Sequence, residues 1–282
     1  MARVKLNEGK LAKLKSRNPS IEFDKLQLYF REPYLIDLPN AEGSITLTQP
    51  SLGDVIKLGE KRFFSTLSVF TSNTTTFRLQ LWNQGIDWTE FPDFGLFMML
   101  TKNADREVYQ TFLPGINLAD FKLIEKEVTP DRIHVREPLS GKQKTTVLYN
   151  TQTETEINEA VYLHISQYLR TVFNTFPEEK ITHDAIMKEW FIMKDRREEN
   201  NKKARACEDE SILLPLVSAC VNHPGFKYKS SELKELGMYQ FYDSVKRLQI
   251  YEATTALQRG LYSGFMDSSK IKPDDYNFMK PI

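Results

Sequence analysis

The change of hydrophobic period at Pro50 constrains this chain more than any other feature. Upstream, Ser44–Thr48 alternates Ile45 and Leu47 with Thr46 and Thr48, the two-residue repeat of a half-buried strand. Between Pro50 and Leu100, a stretch with seven Phe and two Trp, apolar residues recur at helical spacing instead. Ile56, Phe63, Leu67 and Phe70 fall on one predicted face, and Asp54 stands where the positive end of a helix dipole favours an acid. Ser72–Thr76 interrupts the pattern with small polar side chains that compete for backbone hydrogen bonds. Phe77–Asn83 resumes it. Gly85 is placed to end that helix in the left-handed region, with Ile86 supplying the accompanying apolar contact. Asp87 and Glu90 have the spacing of a variant capping box, and Pro92-Asp93 opens a further apolar segment. Once these acids and the glycine are assigned to caps and turns, rings and aliphatic stripes are what remains.

The rest of the chain sorts by the same rules. Residues 1–20 are polar and rich in Lys and Arg, and are expected to form a mobile basic arm. Leu26–Phe30 and Tyr34–Leu38, parted by Pro33, are expected as strands. Phe121–Val128, Arg132–Arg136 and Lys144–Tyr149 predict a small antiparallel meander, a β-rich insert at about 107–150. From Thr151 the pattern turns helical. Val161, Ile165, Tyr168, Val172 and Phe176 make one stripe that Pro177 should end. Thr182 is the expected cap of a helix with Ile186, Trp190 and Met193 on one face, running into the charged DRREENNKKARACEDE. Ser211–Val221 reads as a short apolar helix. A long last helix over about 238–263 carries apolar residues on two faces and is expected to be central and buried. The predicted fold is α+β and predominantly helical, with a mixed region over 21–150, a helical region over 151–266 and a polar tail over 267–282. A shared core is expected, because no Pro/Gly/Ser-rich linker divides the two regions.

Composition excludes several classes of function. Lys+Arg and Asp+Glu are both 38, which removes any global argument for nucleic-acid binding. No apolar run approaches the roughly 20 residues that span a bilayer. Neither nucleic acid nor membrane is therefore an expected partner. Two cysteines, Cys207 and Cys220, are too few for a disulfide framework. Chemistry is equally thin. No glycine pattern fits a phosphate or dinucleotide loop, and His134, His164, His183 and His223 form no metal spacing. Cys220 and His223 could share a helix face, but two ligands make no metal site. Asp87, Glu90 and Asp93 alternate with Trp88, Phe91 and Phe94. Two carboxylates beside ring platforms would suit sugar cleavage, whereas acids capping successive turns over inward-facing rings is the simpler reading. No catalytic, cofactor or metal residue is assigned.

Two stretches resemble a known family: PSLGDVIKLGEKRFFSTLSVFTSNTTTFRLQLWNQGIDWTEFPDFGLF, and LLPLVSACVNHPGFKYKSSELKELGMYQFYDSVKRLQIYEATTALQRGLYSGFMD. Both are similar to proteins encoded among the tail morphogenesis genes of phages of Gram-positive bacteria, and the order of elements resembles tail assembly chaperones. The resemblance implies a non-enzymatic protein of the host cytoplasm that holds tape-measure protein soluble and recruits tail-tube subunits, with self-association a further expectation. The length, the β-rich insert and the extended helical half depart from the simple chaperone pattern. A structural component of the virion (tail, neck or baseplate) is the alternative reading, and a hydrolase with an unrecognised site a third. Phe63, Phe64, Phe70, Trp82, Trp88 and Phe94 are the expected lining of a client groove, though each ring read singly suits the core.

Overall fold

Asp24 opens the first element of the computed structural model, which describes residues 21–38, 44–128, 143–205, 211–264, 269 and 271–281. Its carboxylate accepts hydrogen bonds from the Leu26 (2.8 Å) and Gln27 (3.3 Å) amides, and Lys25–Tyr29 is helical (α1). The strand expected at Leu26–Phe30 is thus replaced by a capped helical turn that buries Leu28 and leaves Leu26 and Phe30 exposed. Arg31, at φ 62°, ends α1 in the left-handed region, and the Glu32 amide bonds back to Gln27 O at 2.9 Å. Tyr34–Asp37 (β1) and Ser44–Leu47 (β2) then pair antiparallel, with Tyr34 opposite Leu47. Their inner face buries Ile36, Ile45 and Leu47.

Ser51 and Asp54 form a full capping box. The Ser51 hydroxyl accepts from the Asp54 amide at 3.1 Å, while the Asp54 carboxylate accepts from the Ser51 amide at 2.8 Å. Leu52–Leu58 (α2) follows, then Glu60–Thr71 (α3). Gly59 at φ 87° parts the two, so the single stripe from Ile56 to Phe70 is broken. Val55 takes the core position in α2, and Ile56 is 52% exposed. Arg78–Asn83 (α4) ends as expected at Gly85, φ 75°. The Gly85 amide bonds to Trp82 O and the Ile86 amide to Leu81 O, a Schellman motif. Asp87 closes a turn through the Thr89 amide and hydroxyl and begins no helix. Asp93–Leu100 (α5) and Arg106–Tyr109 (α6) complete this part.

Lys122–Val128 (β3), Gln143–Asn150 (β4) and Thr155–Ile157 (β5) form a three-stranded antiparallel sheet in the order β3-β4-β5. Its third strand comes after β4. The expected Arg132–Arg136 strand lies outside the described residues, as do the basic arm, Cys207 and His134. Glu159–Val172 (α7) starts from Asn158, whose side chain accepts from the Val161 amide at 3.0 Å. It stops short of Pro177 because Asn174 adopts φ 51°, which leaves Phe176 outside the helix and exposed. Ala185–Arg205 (α8), Leu213–Asn222 (α9), Ser230–Leu233 (α10) and Met238–Tyr262 (α11) follow. With 55% of the described residues helical and 11% in strands, the protein is a mainly helical α+β protein.

One core cluster runs from Leu28 to Phe241, so residues before and after position 150 share it. α3 packs on α6 and α7, and the rings of Phe63 and Phe70 each meet Phe112 edge-on. Arg170 of α7, only 4% exposed, donates to the Thr71 (2.8 Å) and Ser72 (3.2 Å) carbonyls that end α3. Burial, with the Asp93 charge adding, pushes the nearby Tyr162 hydroxyl up to about 12. The segment before α2 is sewn to the segment before α11. Leu52 and Gly53 amides bond to Leu236 and Lys234 carbonyls, and the Met238 amide bonds to Pro50 O. α11 itself is not the buried central helix expected, since Met238, Phe241 and Thr254 are its only buried residues.

Candidate functional site

The polar loop 72–76, which interrupts the helical pattern, is buried over Ser72–Thr75 and organises what stands above it. Asn73 donates to Glu178 O at 3.1 Å, Thr75 accepts from the Lys180 amide at 3.2 Å, and the Thr74 amide bonds to Asp93 at 2.8 Å. The first two of these bonds fix residues 178–180, the segment that leads into α8. Trp88, fully buried, adds one more by donating from Nε1 to Lys180 O at 3.2 Å. The helix is then capped by Asp184, which accepts from the Ile186 amide at 2.9 Å. Thr182 was the expected cap. It lies two residues upstream, its hydroxyl accepting from the Asp184 amide at 3.2 Å.

One face of α8 is pinned to the body. Ile192 enters a second small core with Leu79, Leu81, Trp88 and Leu96. Arg78 of α4 grips Asp195 with two nitrogens at 2.5 Å each and lies over the Phe191 ring at 5.4 Å. Lys188 reaches Asp87 at 2.5 Å, and Arg196 reaches Asn83 at 3.0 Å. Partial burial alone would raise the Asp87 carboxyl, but Lys188 and the Thr89 amide and hydroxyl hold it below the ordinary range. A cleft of about 320 Å³ beside this seam is lined by Thr75, Thr76, Arg78, Glu178 and Asp195, and its one arginine is already paired.

Among the described residues, the opposite face of α8 has no such partner. Ile186, Trp190 and Met193 are 78%, 49% and 62% exposed, and Met187 adjoins them. They stand at i, i+4 and i+7, a continuous apolar stripe along the helix. Lys194 lies over the Trp190 ring at 5.7 Å and pairs with Glu198 at 3.8 Å, so both signs of charge border the stripe. The sequence places these three residues on one face. Its outward direction is set by Arg78, by Asp87 and by the Leu79, Leu81, Trp88 and Leu96 side chains that receive Ile192, all distant from α8 in the chain.

The six rings expected to line a groove are placed differently. Phe63, Phe70, Trp88 and Phe94 are buried among other core side chains and offer no ring to a client in this conformation. Phe64 and Trp82 are partly buried, Phe64 against Phe173 and Trp82 against Trp88. The physical reason is the close packing of α3 on α7 and of α4 on α8, which consumes the stripe.

No histidine joins a chemical cluster among the described residues. His164 Nδ1 shares a 2.9 Å hydrogen bond with the Tyr34 hydroxyl, and burial lowers its pKa. His183 is exposed, 3.8 Å from Glu90. His223 accepts at Nδ1 from the Gly225 amide (3.0 Å), so its proton is on Nε2, which donates to Glu252 at 2.9 Å. Both its nitrogens are engaged, and Cys220 is buried with its thiol pushed up by burial. Among the described residues no group of three His, Cys, Asp or Glu could hold a metal ion, and no helix is long and apolar enough to cross a membrane.

Residues 208–282 match the family model described as the YomV second domain. YomV is a Bacillus phage-derived protein, and the match relates this chain to it through the segment that holds α9, α10 and α11. No curated protein and no solved structure matches the chain.

Proposed function

We propose that this chain is a non-enzymatic phage tail morphogenesis factor, a tail assembly chaperone that binds tape-measure and tail-tube proteins in the host cytoplasm. The observation that carries this reading is the α8 stripe of Ile186, Trp190 and Met193, held outward by a helix whose other face is pinned by ion pairs. Its relation to a phage-derived protein supports the setting. A Trp flanked by Met is the composition of an adaptable hot spot. The occupant is an amphipathic helix of the client, laid along the stripe with its polar flanks meeting Lys194 and Glu198. Covering that apolar face would keep the client soluble until tube subunits compete for it.

Co-expression with the neighbouring tail genes, followed by affinity capture, tests the reading. The unmodified chain should retain a tail protein, and Trp190→Glu with Met193→Lys should lose it while the urea midpoint stays unchanged. Retention of no tail protein, or equal retention by the double variant, would sink the proposal. Mass spectrometry of purified virions adds a second outcome. Recovery of the chain in fixed stoichiometry would replace the chaperone with a virion component.

A further inference from the structure

α11 spans 25 residues, and beyond Leu248 its residues are about half exposed and half partly buried. From there to its end Thr254 alone is buried, at 3% exposure. Residues 273–280 lie against one face of α11. Arg247 Nη1 donates to the carbonyls of Phe278 (2.6 Å) and Lys280 (2.9 Å). The Tyr251 and Phe278 rings meet edge-on, with centroids 6.0 Å apart at 85°. The 3₁₀ turn Pro273–Tyr276 also lies against α11. At about 100° per residue, Arg247, Tyr251 and Thr254 fall within an arc of about 60°. Glu252, which holds His223 beyond α9, lies about 140° from Arg247 on the same wheel. The tail and the end of α9 therefore meet α11 on separate faces, and Thr254 falls on the tail's side of the wheel.

The tail docks as a pre-shaped unit. The Lys272 amide bonds to the Asp275 carboxylate (3.3 Å), the Met279 amide to the Asn277 side chain (3.0 Å) and the Lys280 amide to Asn277 O (3.2 Å). Recognition is through backbone carbonyls and one ring edge, and the seat is shallow: Tyr251 and Phe278 stay 46% and 44% exposed. Gly264, at φ 76°, turns the chain out of α11 before the tail returns.

We propose that this face of α11 is a receptor for residues 271–281 and that the segment exchanges between copies, the tail of one chain seating on α11 of a second. Receptor and ligand are both present in every chain, so each contact can form in trans with the same geometry. The short connection from Gly264 gives the cis tail an effective concentration on the order of millimolar, so exchange rises with chain concentration. This inference is independent of the α8 stripe and of the chaperone reading.

The test uses full-length chains and a fluorescent peptide of residues 271–281. Phe278→Ala weakens the cis tail and leaves the receptor whole, so it should bind the peptide about tenfold more tightly than the unmodified chain. Arg247→Ala should bind none, with both variants checked for an unchanged thermal midpoint. Two differently tagged full-length copies, mixed at high concentration, should co-purify, and should fail to when both carry Arg247→Ala. Absence of saturable binding to Phe278→Ala, equal binding by Arg247→Ala, or co-purification indifferent to Arg247 would each overturn the proposal.

Discussion

Gly237→Ala should destabilise this protein in the presence of Arg31 and be nearly neutral without it. Gly237 has φ −63° and ψ 151°, a backbone that any residue adopts, so the substitution meets no conformational strain of its own. A Cβ there would fall 2.7 Å from Arg31 Cγ and 2.8 Å from Cδ, well inside contact distance. Arg31 cannot yield freely. Its guanidinium donates to Glu235 O at 3.2 Å and to Gln49 O at 3.0 Å, tying the end of α1 to the two segments that pair beneath it. Bonds from a charged group are worth about 1.5–3 kcal/mol when buried. Arg31 is exposed, so about 0.5–1 kcal/mol each is the appropriate discount, and displacing it forfeits about 1–2 kcal/mol. In an Arg31→Ala background both contacts under 3 Å are gone and a 3.1 Å approach to Gln49 Oε1, the end of a side chain, is what remains. Ala then gains about 0.4–1 kcal/mol by restricting the unfolded chain and loses a similar amount at the N-cap of α11, for a sum near zero. Urea unfolding of the four members of this double-mutant cycle reads the coupling directly. The expected coupling is about 1–2 kcal/mol; a coupling below about 0.5 kcal/mol would refute the close packing of Arg31 on Gly237.

Three further outcomes follow from the same contacts. Arg170→Met leaves the buried Thr71 and Ser72 carbonyls without their donor and should cost about 2–4 kcal/mol in urea unfolding; a loss under 1 kcal/mol would mean that the α3 terminus finds another partner. Gly59→Ala meets no atom within 4 Å, so its cost isolates the φ 87° backbone and should be about 1–2 kcal/mol by the same measurement. His164, whose folded pKa is lowered by burial beside Tyr34, is held neutral, so its contribution is present above its unfolded pKa of about 6.5 and is lost as pH falls through that value toward the folded one. The urea midpoint should decline on going from pH ~7 to pH ~5.5, and His164→Gln should flatten that decline.

Local signals were legible where a few neighbouring residues complete them. The Ser51/Asp54 box, the Gly85 stop with Ile86 and the Tyr34–Asp37 and Ser44–Leu47 strands all close their hydrogen bonds within a few residues or across one hairpin. The misreadings share a cause as well. Gly59, Asp24 and Asn174 each reset the local geometry by one residue, enough to expose Ile56, curl Leu26–Phe30 and leave Phe176 beyond α7. Asp24 and Asn174 carried a usable signal, since both residue types favour caps and the left-handed region.

The sequence by itself determined the helical periods, the position of most turns and which residues share a stripe, because these depend on interactions within one or two turns of chain. Only the tertiary structure decided which way each stripe faces. Phe63, Phe70, Trp88 and Phe94 went inward because α7 and α8 close over them, and Ile186, Trp190 and Met193 went outward because Arg78 and Asp87 grip the other side of α8. Those partners lie 117 and 101 positions from Asp195 and Lys188, beyond the reach of any local pattern.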